Sequence, residues 1–421
     1  MPLLPGEDVQ VADLEHLIPS TRKKKRGISL TILNSSTTRV MPLNIFLPLL
    51  IGGALMAACY GATFMLTAHL EQQGFDPTLA GVAVSSGIII TLILACFAGR
   101  MAEHLGLSKS IALSAVLMSL AMLSFAVAGV APAAIYAGGI FLGAAWAIFY
   151  MLAPLIIIDL VDSSVRIRYL TFLSGTQMLG LGLAEPAGSM LANLGATYTE
   201  IYGGLCVFSL FCAGLFLRMS HHELAHQSPH SLTISAAIRV MRSKAVLPSI
   251  VITLLACIFS GLATFQLLYA EPRGLNGSTF FVTFTVVTVI LRFSVASQIA
   301  KLPIYSLAIV LILIIMSALG LLALNRGSLP LYMLSSALFA IGYGLSYSTL
   351  NAIAINIAEA TELPISVSSQ IFTLFYFAGI FGFPFIGSQL ISLLSIDAMV
   401  LVLLGVCISA MLLGVILRVR A

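Results

Sequence analysis

A run of about twenty apolar residues has one comfortable environment, the hydrocarbon core of a bilayer, and a helix is the shape that satisfies its own backbone there. This chain of 421 residues contains twelve such runs. They fall at about 43–69, 78–99, 110–130, 133–158, 169–192, 200–218, 246–270, 279–300, 302–324, 330–355, 366–390 and 396–417. Only 9% of the residues are charged and 59% are hydrophobic, against about 25% charged in soluble domains. A water-soluble enzyme with a buried core is excluded. The expected fold is an all-α integral membrane protein with twelve transmembrane helices in two pseudo-symmetric six-helix bundles.

The connections are short except at 219–244, which divides the chain in two. The expected organisation is a polar and basic tail (1–42), an amino-terminal bundle (43–218), a central loop with an amphipathic helix (219–244) and a carboxy-terminal bundle (245–421). Charge orients the spans. With the amino terminus cytoplasmic, the inside segments hold Arg22-Lys23-Lys24-Lys25-Arg26, Arg39, Arg100, Lys109, Arg166, Arg168, Arg218, Arg239, Arg242, Lys244, Lys301, Arg418 and Arg420, which is 17 of the 20 basic residues. That bias fits the positive-inside rule with both termini cytoplasmic. The basic residues gather at membrane edges, where they meet anionic lipid and not nucleic acid. No cleavable signal peptide is visible, and the short loops suggest a bacterial inner membrane. All six cysteines fall in apolar runs without a C-x-x-C pair, so reduced, packed thiols are expected.

The halves echo each other. Pro48 and Gly61 recur as Pro248 and Gly261, the run from Gly143 lies against the run from Gly342, and Pro186 matches Pro384. Each match alone is weak, but all fall near one offset. Two parallel six-helix halves around a midplane cavity are the architecture of a secondary transporter.

A local motif follows the second run: Gly99-Arg100-Met101-Ala102-Glu103-His104-Leu105-Gly106-Leu107-Ser108-Lys109. With the twelve spans and the 6+6 division, it makes the chain resemble the major facilitator superfamily over essentially residues 40–420. The superfamily pattern there is G-x-x-x-D-R-x-G-R-[RK]. Gly99 and Gly106 stand in register, Glu103 replaces the Asp, and His104 and Leu107 depart from the two arginines. The resemblance implies that Gly99, Glu103 and Gly106 belong to a loop controlling the switch between outward- and inward-open states. The fifth run carries Gly180-Leu181-Gly182-Leu183-Ala184-Glu185-Pro186-Ala187-Gly188, similar to the Gly/Pro-rich stretch of efflux-type members. The fourth run has Gly139 where many proton-coupled members place an arginine.

Glu185 is the one carboxylate well inside a span. An ionised side chain there costs several kcal/mol unless it faces a partner or water, so an intramembrane acid is a functional candidate by default. Glu185 is accordingly the candidate proton carrier; a structural acid bonded to a neighbouring helix is the alternative. Arg292 lies in the eighth span and either attracts an anionic group or extends toward the interface. Tyr343, Tyr347 and Asn351 recur every four residues on one helical face. With Gln177, Gln266, Tyr269, Asn356 and Gln370 they are candidates for a polar cavity, the alternative being ordinary interhelical hydrogen bonds. Trp146, the only tryptophan, reads as packing.

The central loop contains His221-His222-Glu223-Leu224-Ala225-His226, which fits the H-E-x-x-H pattern in which two histidines hold zinc and the glutamate polarises water. A zinc protease needs a third ligand and a shielded cleft. His230 is the nearest third ligand, but Pro229 intervenes and no apolar shell surrounds the motif. A chance match is expected, with no metal and no cofactor; loose zinc binding by His222, His226 and His230 is the weaker alternative. No G-x-x-x-x-G-K-[ST] segment is present. The expected activity is therefore not enzymatic. It is secondary transport of a small-molecule substrate across the lipid bilayer by a monomer working with protons, with efflux favoured over uptake. A membrane receptor is the other class to be separated.

Overall fold

The computed structural model describes residues 41–219, 234–294 and 302–419. The tail and the loop histidines His221, His222, His226 and His230 lie outside these residues.

All regular structure among the described residues is helical. The first half comprises α1 (Leu43–Gln72), α2 (Leu79–Leu105), α3 (Leu107–Ala126), α4 (Ala134–Leu160), α5 (Ser163–Asn193) and α6 (Tyr198–Met219). Helix α7 (Ile234–Met241) follows in the central loop. The second half comprises α8 (Val246–Ala270), α9 (Gly277–Ser294), α10 (Ile304–Leu324), α11 (Leu329–Ala360), α12 (Ile365–Leu393) and α13 (Ile396–Val419). α1 tightens into a 3₁₀ turn at Ala62–Met65, and α2 is interrupted at Ser86–Gly87.

Ten helices among the described residues are long and apolar enough to cross a membrane. The two remaining are α5, diluted by Ser, Thr, Gln and Gly, and α9, whose apolar part is Gly277–Arg292. Both expected spans are thus helical. Their lower apolarity has a structural reason, because they pack against each other between the halves and need not offer a full face to lipid.

Packing sorts the helices into two sets. In the first, α1 lies against α5 and α6, and α3 against α4 and α6; in the second, α8 lies against α12 and α13, and α10 against α11 and α13. The sequence repeat has a physical meaning here. A Cβ on Gly61 of α1 would meet Leu181 O of α5 at 2.2 Å, and one on Gly261 of α8 would meet the Phe383 ring of α12 at 2.6 Å. Likewise a Cβ on Gly180 of α5 would meet Ala54 O of α1 at 1.9 Å, and one on Gly379 of α12 would meet Thr253 O of α8 at 2.4 Å. Small residues let helices approach closely where lipid offers no hydrophobic drive for association, and both sets use them at equivalent places.

In the central loop, helix α7 packs its Ala236 and Val240 on Val367 and Ile371 at the start of α12. Its other face, with Ile238 and Arg239, is exposed. This contact marks the linker end of the bundle; the opposite end is the far end.

The α2–α3 connection differs from the expected loop. Gly99–Leu105 forms the last turns of α2, and α3 begins at Leu107. Gly106 alone joins them, at φ +85°, a left-handed conformation that favours glycine. Glu103 is exposed and has no ion pair among the described residues.

The six cysteines are free thiols, with Cys59, Cys212 and Cys407 buried, Cys206 and Cys257 half-buried and Cys96 exposed.

Candidate functional site

Two seams join the halves. In the first, α5 meets α9 so closely that a Cβ on Gly182 would lie 1.7 Å from Thr285 Oγ1. One turn toward the far end lies Glu185, fully buried. Its Oε1 accepts hydrogen bonds from Ser189 Oγ at 2.7 Å, within α5, and from Ser278 Oγ at 3.0 Å, across the seam on α9. Its Oε2 has no hydrogen-bond partner among the described residues. Pro186 follows inside the helix, where its missing N–H frees a carbonyl.

At the other end of this seam Arg292 Nη1 donates to Ser174 Oγ at 2.6 Å. Glu185 and Arg292 do not meet. Eleven residues of α5 separate Glu185 from Ser174, roughly 16 Å at the helical rise.

In the second seam α2 meets α12. A Cβ on Gly81 would lie 2.2 Å from Pro384 O. The Phe385 N–H donates to Ser85 Oγ at 2.8 Å, and Ser388 Oγ donates to Thr78 O at 2.8 Å. These contacts close the far end on that side.

Between the seams lies a small cavity whose lining includes Tyr60, Trp146, Tyr150, Gln177, Tyr343 and Tyr376. Both halves contribute to it. Trp146 stacks on Tyr60 with centroids 4.7 Å apart, and Tyr150 stacks on Tyr376 at 6.0 Å across the halves. Toward the far end the space is filled by phenylalanines, with Phe64 stacked on Phe281 at 5.0 Å and packed beside Phe259.

The candidates from the sequence therefore separate. Gln177 and Tyr343 line the cavity, and Tyr347 stands at its edge, its hydroxyl 3.2 Å from Thr373 Oγ1 and its ring against Tyr376. Trp146, read as packing, also lines it. Gln266 and Tyr269 sit elsewhere. Gln266 Nε2 donates to Tyr332 Oη at 2.8 Å inside the second set, and Tyr269 Oη donates to Leu322 O at 2.7 Å, under the Arg273 guanidinium. Asn351 is half-buried, its Oδ1 lacking a partner among the described residues, and Asn356 is exposed near the linker end. Gln370 is half-buried near the start of α12. Among the described residues no three metal-ligating side chains cluster.

Sequence reasoning missed Tyr60, Tyr150 and Tyr376, single aromatics in apolar runs that carry no local mark. It also missed His69, which the rule that found Glu185 could have found. His69 is fully buried, with Nε2 2.9 Å from Phe125 O, its ring 5.0 Å from that of Tyr202, and Nδ1 without a partner among the described residues.

Comparison with known proteins accords with this geometry. The model of the Major Facilitator Superfamily matches residues 49–383. No curated protein sequence matches the chain. Among solved structures, a mutant of the nucleoside transporter NupG superposes with a TM-score of 0.69 at 14% identity, covering 89% of this chain and 99% of that one. The Escherichia coli fucose:proton symporter FucP, as a mutant, gives a TM-score of 0.59 at 16% identity, covering 89% and 98%. FucP in the outward conformation gives 0.62 at 17% identity, also covering 89% and 98%. At such identities the likeness is one of fold. With 49–383 under the family model, two helical sets around a central cavity and a carboxyl group buried at their seam, the chain is a multi-pass membrane transporter and not an enzyme, and it belongs to the Major Facilitator Superfamily.

Proposed function

We propose that the chain moves a small organic molecule by alternating access, with Glu185 carrying the coupled proton. The observation that carries this reading is the fully buried Glu185 carboxyl at the α5–α9 seam, bonded across it to Ser278. Two hydroxyl donors on Oε1 and none on Oε2 solvate a full negative charge poorly, and Oε2 is free to hold a proton. When the seam parts, Ser278 leaves, water enters and the proton can exchange. Protonation is thereby tied to which end of the seam is closed. The moving bodies are the halves 43–218 and 245–421, joined by 219–244, in a monomer of the bacterial inner membrane with both termini cytoplasmic.

Export against proton entry and uptake with proton entry use the same parts. The Gly/Pro-rich stretch around Glu185 favours export; a fucose:proton symporter among the solved structures of this fold favours uptake. Untargeted mass spectrometry of cells and medium, for wild type, a deletion and Glu185→Gln at matched expression, decides. A compound retained inside both altered strains establishes export, and one left unused in the medium establishes uptake. A Glu185→Gln strain equal to wild type removes Glu185 as the carrier.

A further inference from the structure

We propose that the cavity seats the oxyanion of a small organic acid on Arg292, with the aromatic walls holding the remainder of the molecule. The inference rests on the transport reading above and names the substrate class.

A guanidinium has five N–H donors and no neutral form at working pH. Placed between helices it requires an opposite charge or several acceptors, because an unpaired buried charge is costly. Arg292 has neither among the described residues. The ion pairs there are Arg273 and Arg326 with Asp397, at the far end of the second set. Arg292 is half-buried; it donates to one hydroxyl, Ser174 Oγ, and its buried Nε has no partner among the described residues. Glu185, the acid on the same seam, is about 16 Å away along α5 and occupied by two serines.

Placement makes this charge useful. Arg292 reaches α5 beside the cavity that Tyr150 and Tyr376 line, one from each half. Ser174, its partner, stands one turn of α5 before Gln177, which lines the cavity too. At this turn of α5, beside the cavity, lies a planar, fork-shaped cation, suited to a carboxylate or phosphate held bidentately. Tyr60, Trp146, Phe259 and Tyr343 add flat walls to the same cavity, suited to an apolar or aromatic body. An organic cation would meet Arg292 without compensation, and a neutral sugar would leave it unpaired.

Trp146 makes the test direct. It is the only tryptophan and it lines the cavity, so its emission reports on occupancy. The purified full chain in liposomes is titrated with four probes sharing one ring: benzoate, phenyl phosphate, benzamide and benzylammonium. The expected result is a saturable change of emission with one or both anions, and binding at least roughly tenfold weaker for the amide and the ammonium. Whichever anion binds more tightly tells carboxylate from phosphate. Arg292→Gln is expected to weaken the anion by roughly thirtyfold or more, and Arg292→Lys to recover part of that loss, since it keeps the charge without the fork. Both variants are first checked for a wild-type elution profile. Amide or ammonium binding equal to the anions, silence from all four probes, or an unchanged Arg292→Gln overturns the proposal. Glu185→Gln separates the two readings: it is expected to keep anion binding while losing proton-driven flux. Anion binding in a protein whose flux ignores the proton gradient removes the coupling role of Glu185 and leaves the Arg292 seat in place.

Discussion

The two seams between the halves are built to similar closeness and differ in chemistry. At α2–α12 the contacts are Gly81 under Pro384 O and two hydrogen bonds joining hydroxyls to main chain. At α5–α9 the close approach is Gly182 under Thr285, flanked by a carboxyl group at one end and a guanidinium at the other. Neutral contacts form and break with little regard to pH or ligand charge. A buried carboxyl and a half-buried guanidinium change energy greatly when a proton or an anion arrives. The two seams thus share a close approach, and on the proposed reading side-chain chemistry makes only α5–α9 responsive.

The strongest way to break this comparison is steric. Gly182→Leu and Gly81→Leu each place carbon atoms where the opposite helix already lies, so both are expected to reduce transport to background in liposome flux. If either retains near wild-type flux, that seam does not close during the cycle. Next in size is Glu185→Gln, expected to abolish proton-driven accumulation, by roughly tenfold or more, while leaving exchange of substrate across the membrane. Measuring both reactions on one preparation separates lost coupling from lost folding. Ser278→Ala removes one hydrogen bond to the carboxyl, worth about 1.5–3 kcal/mol if the group is charged. Its flux is expected to fall severalfold, to a degree that varies with pH. The smallest effect belongs to Ser85→Ala, whose neutral bond contributes about 1 kcal/mol. It should speed thiol labelling of a far-end cysteine, introduced as Thr78→Cys, by about fivefold and equally at every pH. A strong pH dependence there, or its absence for Ser278→Ala, would erase the distinction between the seams.

Much of the fold was legible because it rests on averages. Twenty apolar residues in a row, the long loop at 219–244 and repeated Pro and Gly positions are redundant signals. The equivalence of Gly61 with Gly261 reflects a packing need that the sequence repeats. Glu185 stood out because acids are rare in hydrocarbon. The cavity was legible only in part. Its walls come from single tyrosines on α1, α4, α11 and α12, whose convergence depends on rotations of helices that hydropathy does not encode. For the same reason Gln266 and Tyr269 looked like cavity residues, whereas local partners, Tyr332 and Leu322, hold them inside one half. Ser278, one serine among many, acquires its role from a residue 93 positions away.

The single-residue joint at Gly106 has a mechanical consequence. α2 ends at Leu105 and α3 starts at Leu107, so no slack separates the helix that forms the neutral seam from the one that packs on α4 and α6. A rod hinged this tightly transmits torque. On the proposed alternating-access reading, a tilt of α2 away from α12 would be passed to the start of α3 instead of being shed into a loop.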